Sequence, residues 1–175
     1  MIDLDASLLR QMKVDIRCGT EVTSREELAD YDAVVLAAGA WKPGRLKLEY
    51  GESINVLDFL QRFNAGASQL DLGDDIVVIG GGNTAMDAAR AARRLPGSPK
   101  VRIVYRRNKR YMPADEEELA LALEDGVEFC QLLAPVGVRD GQLTCKVMKL
   151  GQPDALGRRS PEETGETATV PASAV

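Results

Sequence analysis

The spacing of apolar and polar positions changes several times along the chain, and each change predicts an element. Leu8, Leu9 and Met12 recur at helical spacing, and Val14-Asp15-Ile16 alternates as a strand does. Residues 32–40, Asp-Ala-Val-Val-Leu-Ala-Ala-Gly-Ala, are apolar on both faces, as suits an inner strand of a covered sheet. The stretch from Trp41 to Gly51, with Pro43 and Gly44, reads as a connection. Ile54, Val56, Leu57, Leu60 and Phe63 predict a short amphipathic helix, ended by Asn64 to Ser68. A domain boundary is placed near residue 66, separating residues 1–65 from residues 66–175.

Beyond residue 74 the pattern sharpens. Ile76-Val77-Val78-Ile79 is a buried-strand run, followed at once by Gly80-Gly81-Gly82-Asn83-Thr84-Ala85 and by a helix with Met86, Ala89, Ala92 and Leu95 on one face. Pro96-Gly97-Ser98-Pro99 closes that helix, and Val101 to Tyr105 form the next strand. Asp115 is expected to cap a third helix, with Glu116, Glu117 and Glu118 at the positive end of its dipole. Gly126 ends it, and Val127-Glu128-Phe129 begins a third strand. This order predicts an α/β fold, a Rossmann-like doubly wound parallel sheet with right-handed crossovers. After Pro135, Val136 to Val138 and Leu143 to Leu150 flank Asp140-Gly141, a hairpin signal. Residues 151–165 read as a mobile loop, and Thr167 to Val170 as the returning strand of an antiparallel β-meander. Ala172 to Val175 look like a strand cut short.

Composition narrows the chemistry. The 175 residues, 45% apolar and 28% charged, have the balance of an ordinary globular protein, and a net charge of −5 argues against general nucleic-acid binding. The apolar run from Ala33 to Trp41 is far shorter than the roughly 20 residues a membrane helix needs, and the acidic start lacks a secretory signal, so a cytoplasmic location is expected. The sequence has no histidine, which excludes Ser-His-Asp and Cys-His catalysis and imidazole-bound metals within this chain. Cys18, Cys130 and Cys145 form no CxxC pair, so the chain alone holds neither a dithiol redox centre nor an iron–sulfur cluster; they read as small buried apolar residues.

Gly80-x-Gly82-x-x-Ala85, lying between a predicted strand and a predicted helix, is the dinucleotide fingerprint in its Gly/Ala form. Gly80 permits the tight turn, with Gly81 beside it in the same loop. Gly82 lets a diphosphate approach the backbone, and Ala85 lets the helix pack close to the strand. The helix N-terminus offers free N–H groups and positive dipole to phosphate, and Asn83 and Thr84 are placed to add side-chain hydrogen bonds. Where an NAD site carries Asp or Glu after the second strand, this chain has Tyr105-Arg106-Arg107. Guanidinium groups bind a 2′-phosphate in forked pairs, so NADPH is favoured over NADH, with Arg106 the first choice and Arg107 beside it. Tyr105-x-x-x-Lys109 also spells the pair used by short-chain dehydrogenases. It sits at a strand end on the adenosine side, and is not read as catalytic.

Two resemblances extend this reading. Ala37-Ala38-Gly39-Ala40-x-x-Pro43 resembles the motif of two-dinucleotide flavoproteins that leads from the flavin domain into the NAD(P)H domain; this assigns Ala38 and Gly39 to the neighbourhood of a flavin. The run Gly80 to Arg90, with Val104-Tyr105-Arg106-Arg107, Met112-Pro113-Ala114 and Glu124 to Phe129, resembles the NADPH domain of the glutamate synthase small subunit and related flavin oxidoreductases. Gly151-Gln152-Pro153-Asp154 to Gly157-Arg158-Arg159 is similar to the selenate reductase iron–sulfur branch. The resemblance implies NADPH as cofactor, FAD held with parts of a longer protein, and iron–sulfur clusters outside this chain. It implies as partners the remainder of a flavin and iron–sulfur polypeptide, or electron-transfer subunits. Residues 1–65 are then a remnant of an FAD domain with its connection, the chain is an excised piece, and no catalytic residue is assigned. A stand-alone small dehydrogenase and a non-catalytic nucleotide-sensing or assembly module stay open as alternatives.

Overall fold

The computed structural model describes residues 2–39, 44, 46–67, 70–97, 99–153 and 159–175, which fall into two units, Met1–Trp41 and Lys42–Val175. In the first, helix α1 (Ile2–Gln11) forms where Leu8 and Leu9 predict it. A 3-10 turn follows at Glu26–Leu28, where the Glu27 carboxylate accepts hydrogen bonds from the Thr23 hydroxyl and the Thr23 and Ser24 amides. The inner strand predicted over residues 32–40 is not formed. Residues 33–39 form no strand, Ala40 lies outside the described residues, and Val35 and Leu36 are 88% and 89% exposed. Residues 14–16 form no strand either. A strand needs neighbours for its N–H and C=O groups, and alternation within one segment does not supply them.

In the second unit, helix α2 (Val56–Gly66) starts at Asn55, whose side chain accepts from the Leu57 amide, and buries Phe59. Strands β1 (Asp75–Ile79), β2 (Lys100–Tyr105) and β3 (Glu128–Gln131) make a parallel sheet in the order β1-β2-β3. Helices α3 (Asn83–Arg93) and α4 (Glu116–Glu124) are its crossovers. Alternate side chains of each strand face opposite layers. Ile76, Val101 and Ile103 meet Met86, Ala89 and Leu119 of the helices, whereas Val77 and Val104 meet Leu143, Cys145 and Val170 on the other face. The second face is thus covered by the meander, β4 (Leu133–Arg139), β5 (Gln142–Pro153) and β6 (Arg159–Pro171). Asp140 and Gly141 join β4 to β5 with φ of 52° and 71°, both left-handed, as a tight hairpin turn demands.

The mobile loop expected over residues 151–165 is largely strand. β5 runs to Pro153 and β6 begins at Arg159, residues 154–158 lying outside those described. Cross-strand charges take the place of an apolar pattern on β6: Lys146 pairs with Glu163 at 2.7 Å and Lys149 with Glu162 at 3.9 Å, and the β6 residues from Glu162 to Thr167 are exposed. The terminal residues do not build a strand of their own. Ala174 forms a parallel bridge to Ile76, and the Ile54 amide donates to the Val175 carbonyl at 2.7 Å. Of the cysteines read as buried, Cys145 is, and burial pushes its thiol up to about 11. Cys130 is half-buried and Cys18 is exposed.

An ionic knot ties α3 to the end of α4: Asp125 accepts from Arg90 at 2.8 Å and from Arg94 at 2.9 Å. The Arg90 hydrogen bond holds the Asp125 carboxyl below its usual range, burial opposes this, and Arg94 assists. A carboxyl so lowered stabilises the fold above its unfolded value and loses that contribution as pH falls through its folded value, below about pH 4. Asp125→Asn is therefore expected to lower the urea midpoint at neutral pH, with the gap to the native chain narrowing at about pH 3. A gap that does not narrow would assign the knot no electrostatic share in stability.

Candidate dinucleotide-binding site

β1 ends at Ile79, and the chain turns sharply into α3. Gly80 makes that turn with φ of 148°, a value L side chains rarely adopt, and a Cβ there would stand 3.2 Å from the Ala85 methyl. Its amide still donates to the Val104 carbonyl at 3.1 Å, so the turn stays in register with β2. Gly81 lies flat on the Tyr105 ring, where a Cβ would approach within 2.6 Å, and its carbonyl accepts from the Ala114 amide at 2.9 Å. Gly82 has open space on its Cβ side and stands at the N-cap of α3. The small residues Ala85, Ala88, Ala89 and Ala92 let α3 lie against the sheet, and Met86, wholly buried, fills the interval.

The helix start leaves its first N–H groups without intrahelical acceptors, facing outward beyond the carboxyl ends of the strands. Thr84, exposed, lines a cleft of about 1030 Å³. Its walls come from α3 (Ala85, Ala88), α2 (Val56, Phe59), β1 (Ile76, Val78) and Val175. Apolar side chains and polar ones, among them Asn55, Asp58 and Thr84, line that cleft together, a mixture found in small-molecule sites. α2 and the terminal residues as cleft walls are not legible in the fingerprint, which describes only the turn and one helix.

Arg106 and Arg107 follow β2 directly. Arg106 is exposed. Arg107 is half-buried, and its Nε, buried, has no acceptor among the described residues. The segment they open is held by its neighbours: the Tyr105 hydroxyl donates to the Tyr111 carbonyl at 2.7 Å, and the Leu132 amide to the Arg107 carbonyl at 3.1 Å. Tyr105, whose spacing to Lys109 spells the dehydrogenase pair, is thus a packing residue under Gly81.

One expectation is corrected in detail. Asp115 stands at the N-cap of α4, yet its side chain caps nothing there; its carboxylate accepts from the Asn83 amide at 2.9 Å. Asn83 in turn accepts from the Asp115 backbone N–H at 3.0 Å, so both ends of its side-chain amide are bonded to Asp115. A contact across 32 residues outcompetes the local cap, and no local pattern announces it. The turn brings Gly80 through Ala85 together at the head of α3, whereas Ala38 and Gly39 lie in the unit Met1–Trp41, Gly39 with φ of 76°. No cluster of ligating side chains suited to a metal ion occurs among the described residues, and no helix among them is long and apolar enough to cross a membrane.

The chain is similar to known proteins over most of its length. The chain is 45% identical over 174 residues to the Escherichia coli (strain K12) protein YgfK, which carries the name of an oxidoreductase; 96% of this chain and 17% of that one are covered. It is 36% identical to the beta subunit of a Geobacter sulfurreducens NADPH-Fe(3+) oxidoreductase, covering 93% of this chain and 26% of that one. It is 34% identical to the small chain of the Escherichia coli (strain K12) NADPH glutamate synthase, covering 94% and 39%. The chain therefore spans well under half the length of each of these relatives. The family model for pyridine nucleotide-disulphide oxidoreductases matches residues 6–139, from α1 through the parallel sheet to β4, and the chain belongs to that family.

Proposed function

We propose that residues 66–175 bind NADPH and that the chain is the NADPH-binding region of a flavin-dependent, iron–sulfur-linked oxidoreductase. The observation that carries this is the conjunction at one end of the sheet: a left-handed Gly80 turn, an open backbone at Gly82, and a buried Arg107 Nε without an acceptor among the described residues. These features fit the group. The α3 N-terminus and the Gly82 and Thr84 backbone would hold the diphosphate, and Arg106 and Arg107 the 2′-phosphate, two guanidiniums matched to a dianion. Thr84 would stand where the cleft opens, and the apolar walls of Val56, Phe59 and Ile76 would keep water from the nicotinamide end. Bound there, NADPH supplies a hydride, and the protein's part is to position it.

Residues 1–65 are read as part of a flavin domain with its connection, Ala38 and Gly39 lying toward FAD held mainly by a longer polypeptide. The exposed apolar run Val34-Val35-Leu36 supports this, having the character of an inner strand whose neighbours come from elsewhere. Iron–sulfur clusters and the onward electron acceptor are assigned to that polypeptide or to partner subunits. The names of the relatives, among them an NADPH-Fe(3+) oxidoreductase and an NADP(+)-dependent formate dehydrogenase, support such a chain of carriers. The stretch Gly151 to Arg159 favours the selenate reductase branch.

Calorimetric titration of the chain with NADPH and NADH tests the reading. Binding of NADPH at least about tenfold tighter is expected, and each nucleotide should raise the thermal midpoint in proportion to its affinity. Equal affinities, or none, would remove the assignment of the arginines.

A further inference from the structure

The segment from Arg106 to Asp115 carries four cationic side chains, Arg106, Arg107, Lys109 and Arg110, and is fixed at both ends. Its near end continues β2. Its far end is fastened to the glycine turn by three hydrogen bonds: Asn83 Nδ2 to Asp115 Oδ2, the Asp115 amide to Asn83 Oδ1, and the Ala114 amide to the Gly81 carbonyl. Between the ends stand a single 3-10 turn at Lys109–Tyr111, the Lys109 amide bonded to the Gln131 side chain at 3.3 Å, and the Tyr105 and Leu132 hydrogen bonds to the Tyr111 and Arg107 carbonyls. Both ends of the Asn83 amide are therefore committed to Asp115. An Asn83 that reached for phosphate would have to release a carboxylate beside the anion it bound.

We infer that Asn83 and Asp115 are a positioning pair: they hold the basic segment in register with the glycine turn and, acting through Arg106 and Arg107, set the preference for NADPH over NADH. The inference rests on the reading of this turn as the NADPH site. It separates two roles that a residue at a helix start can play. A diphosphate contact serves both nucleotides alike, because both carry the diphosphate. A pair that places the arginines matters only to the nucleotide with the additional 2′-phosphate.

The test uses the 175-residue chain, with Asn83→Ala, Asp115→Ala and Asp115→Asn, titrated calorimetrically with NADPH and with NADH. Asn83→Ala and Asp115→Ala are each expected to weaken NADPH by about tenfold and NADH by less than about twofold. Asp115→Asn, whose amide oxygen still accepts from Asn83, is expected to keep the preference of the native chain. Hydrogen exchange at amides 109–115 of the nucleotide-free chain should quicken in the two alanine variants and not in the asparagine one. The alanine variants remove the same side-chain bond from opposite ends, so a folding defect in one leaves the other to decide.

Equal weakening of both nucleotides by Asn83→Ala, with Asp115→Ala silent, would make Asn83 a diphosphate contact and overturn the pair. A preference that survives all three variants overturns the pair alone. A native chain with no preference for NADPH overturns the reading of the site and this inference together.

Discussion

Replacing Arg106 and Arg107 together with glutamine is expected to weaken NADPH binding by about a hundredfold while leaving NADH within about threefold. The estimate follows from charge. Each guanidinium that pairs with a phosphate makes charge-assisted hydrogen bonds, worth about tenfold or more in affinity when one partner is removed. NADH has no group at that position and loses only the general attraction of a basic segment. Glutamine keeps a polar stem in place of the half-buried Arg107 side chain, so packing against its neighbours is largely retained. The measurement is the ratio of the two dissociation constants at fixed ionic strength, since screening would otherwise change the ratio. An unchanged ratio would show that the basic segment is a solvated turn, and the assignment of NADPH would fall with it.

The largest effect on stability is expected from Met86→Ala. Met86 is wholly buried between α3 and the sheet, in the same cluster as Ile103 and Leu119. Truncating a buried methionine to alanine costs about 2–5 kcal/mol, because the transfer energy is lost and the surroundings close the cavity only partly. Every other buried residue of α3 is an alanine, so no neighbouring side chain on that helix can swing in to fill the space. Urea unfolding followed by far-ultraviolet circular dichroism measures it, with Leu121→Ala on the 39% exposed position of α4 as the control, expected to lose less than about 1 kcal/mol. Equal losses at the two positions would mean that α3 does not anchor the core.

The fold is legible in the sequence where the deciding contacts are local. Ile76 to Leu95 declare strand, turn and helix because the apolar period changes within a few residues, and the glycines mark where the chain turns. The Asp140-Gly141 hairpin is equally local, both residues adopting left-handed φ. The run at residues 32–40 has the composition of an inner strand, but a strand exists only by pairing, and the pairing partners are not given by the run itself. The second half of β6 is predicted by Thr167 to Val170, whereas its first half reads as loop: Glu162 and Glu163 look like loop residues until they form ion pairs with Lys149 and Lys146 of β5. At the site, the fingerprint marked the turn and the arginines. The Asn83–Asp115 contact joins two helix starts that sequence treats separately, and the cleft depends on α2 and the last residues of the chain.

The bridge from Ala174 to Ile76 has a bearing on solubility. A parallel sheet of three strands has two borders, each a row of unpaired amides and carbonyls that another molecule could extend. Here the β1 border is occupied in part by the Val77 amide donating to Ala174 and by the Ser173 amide donating to Asp75. The other border, β3, is only four residues long and presents exposed Glu128 and Gln131. Short, polar and half-shielded margins of this kind give intermolecular strand addition little to build on, so aggregation through this sheet is disfavoured at the concentrations that binding measurements require.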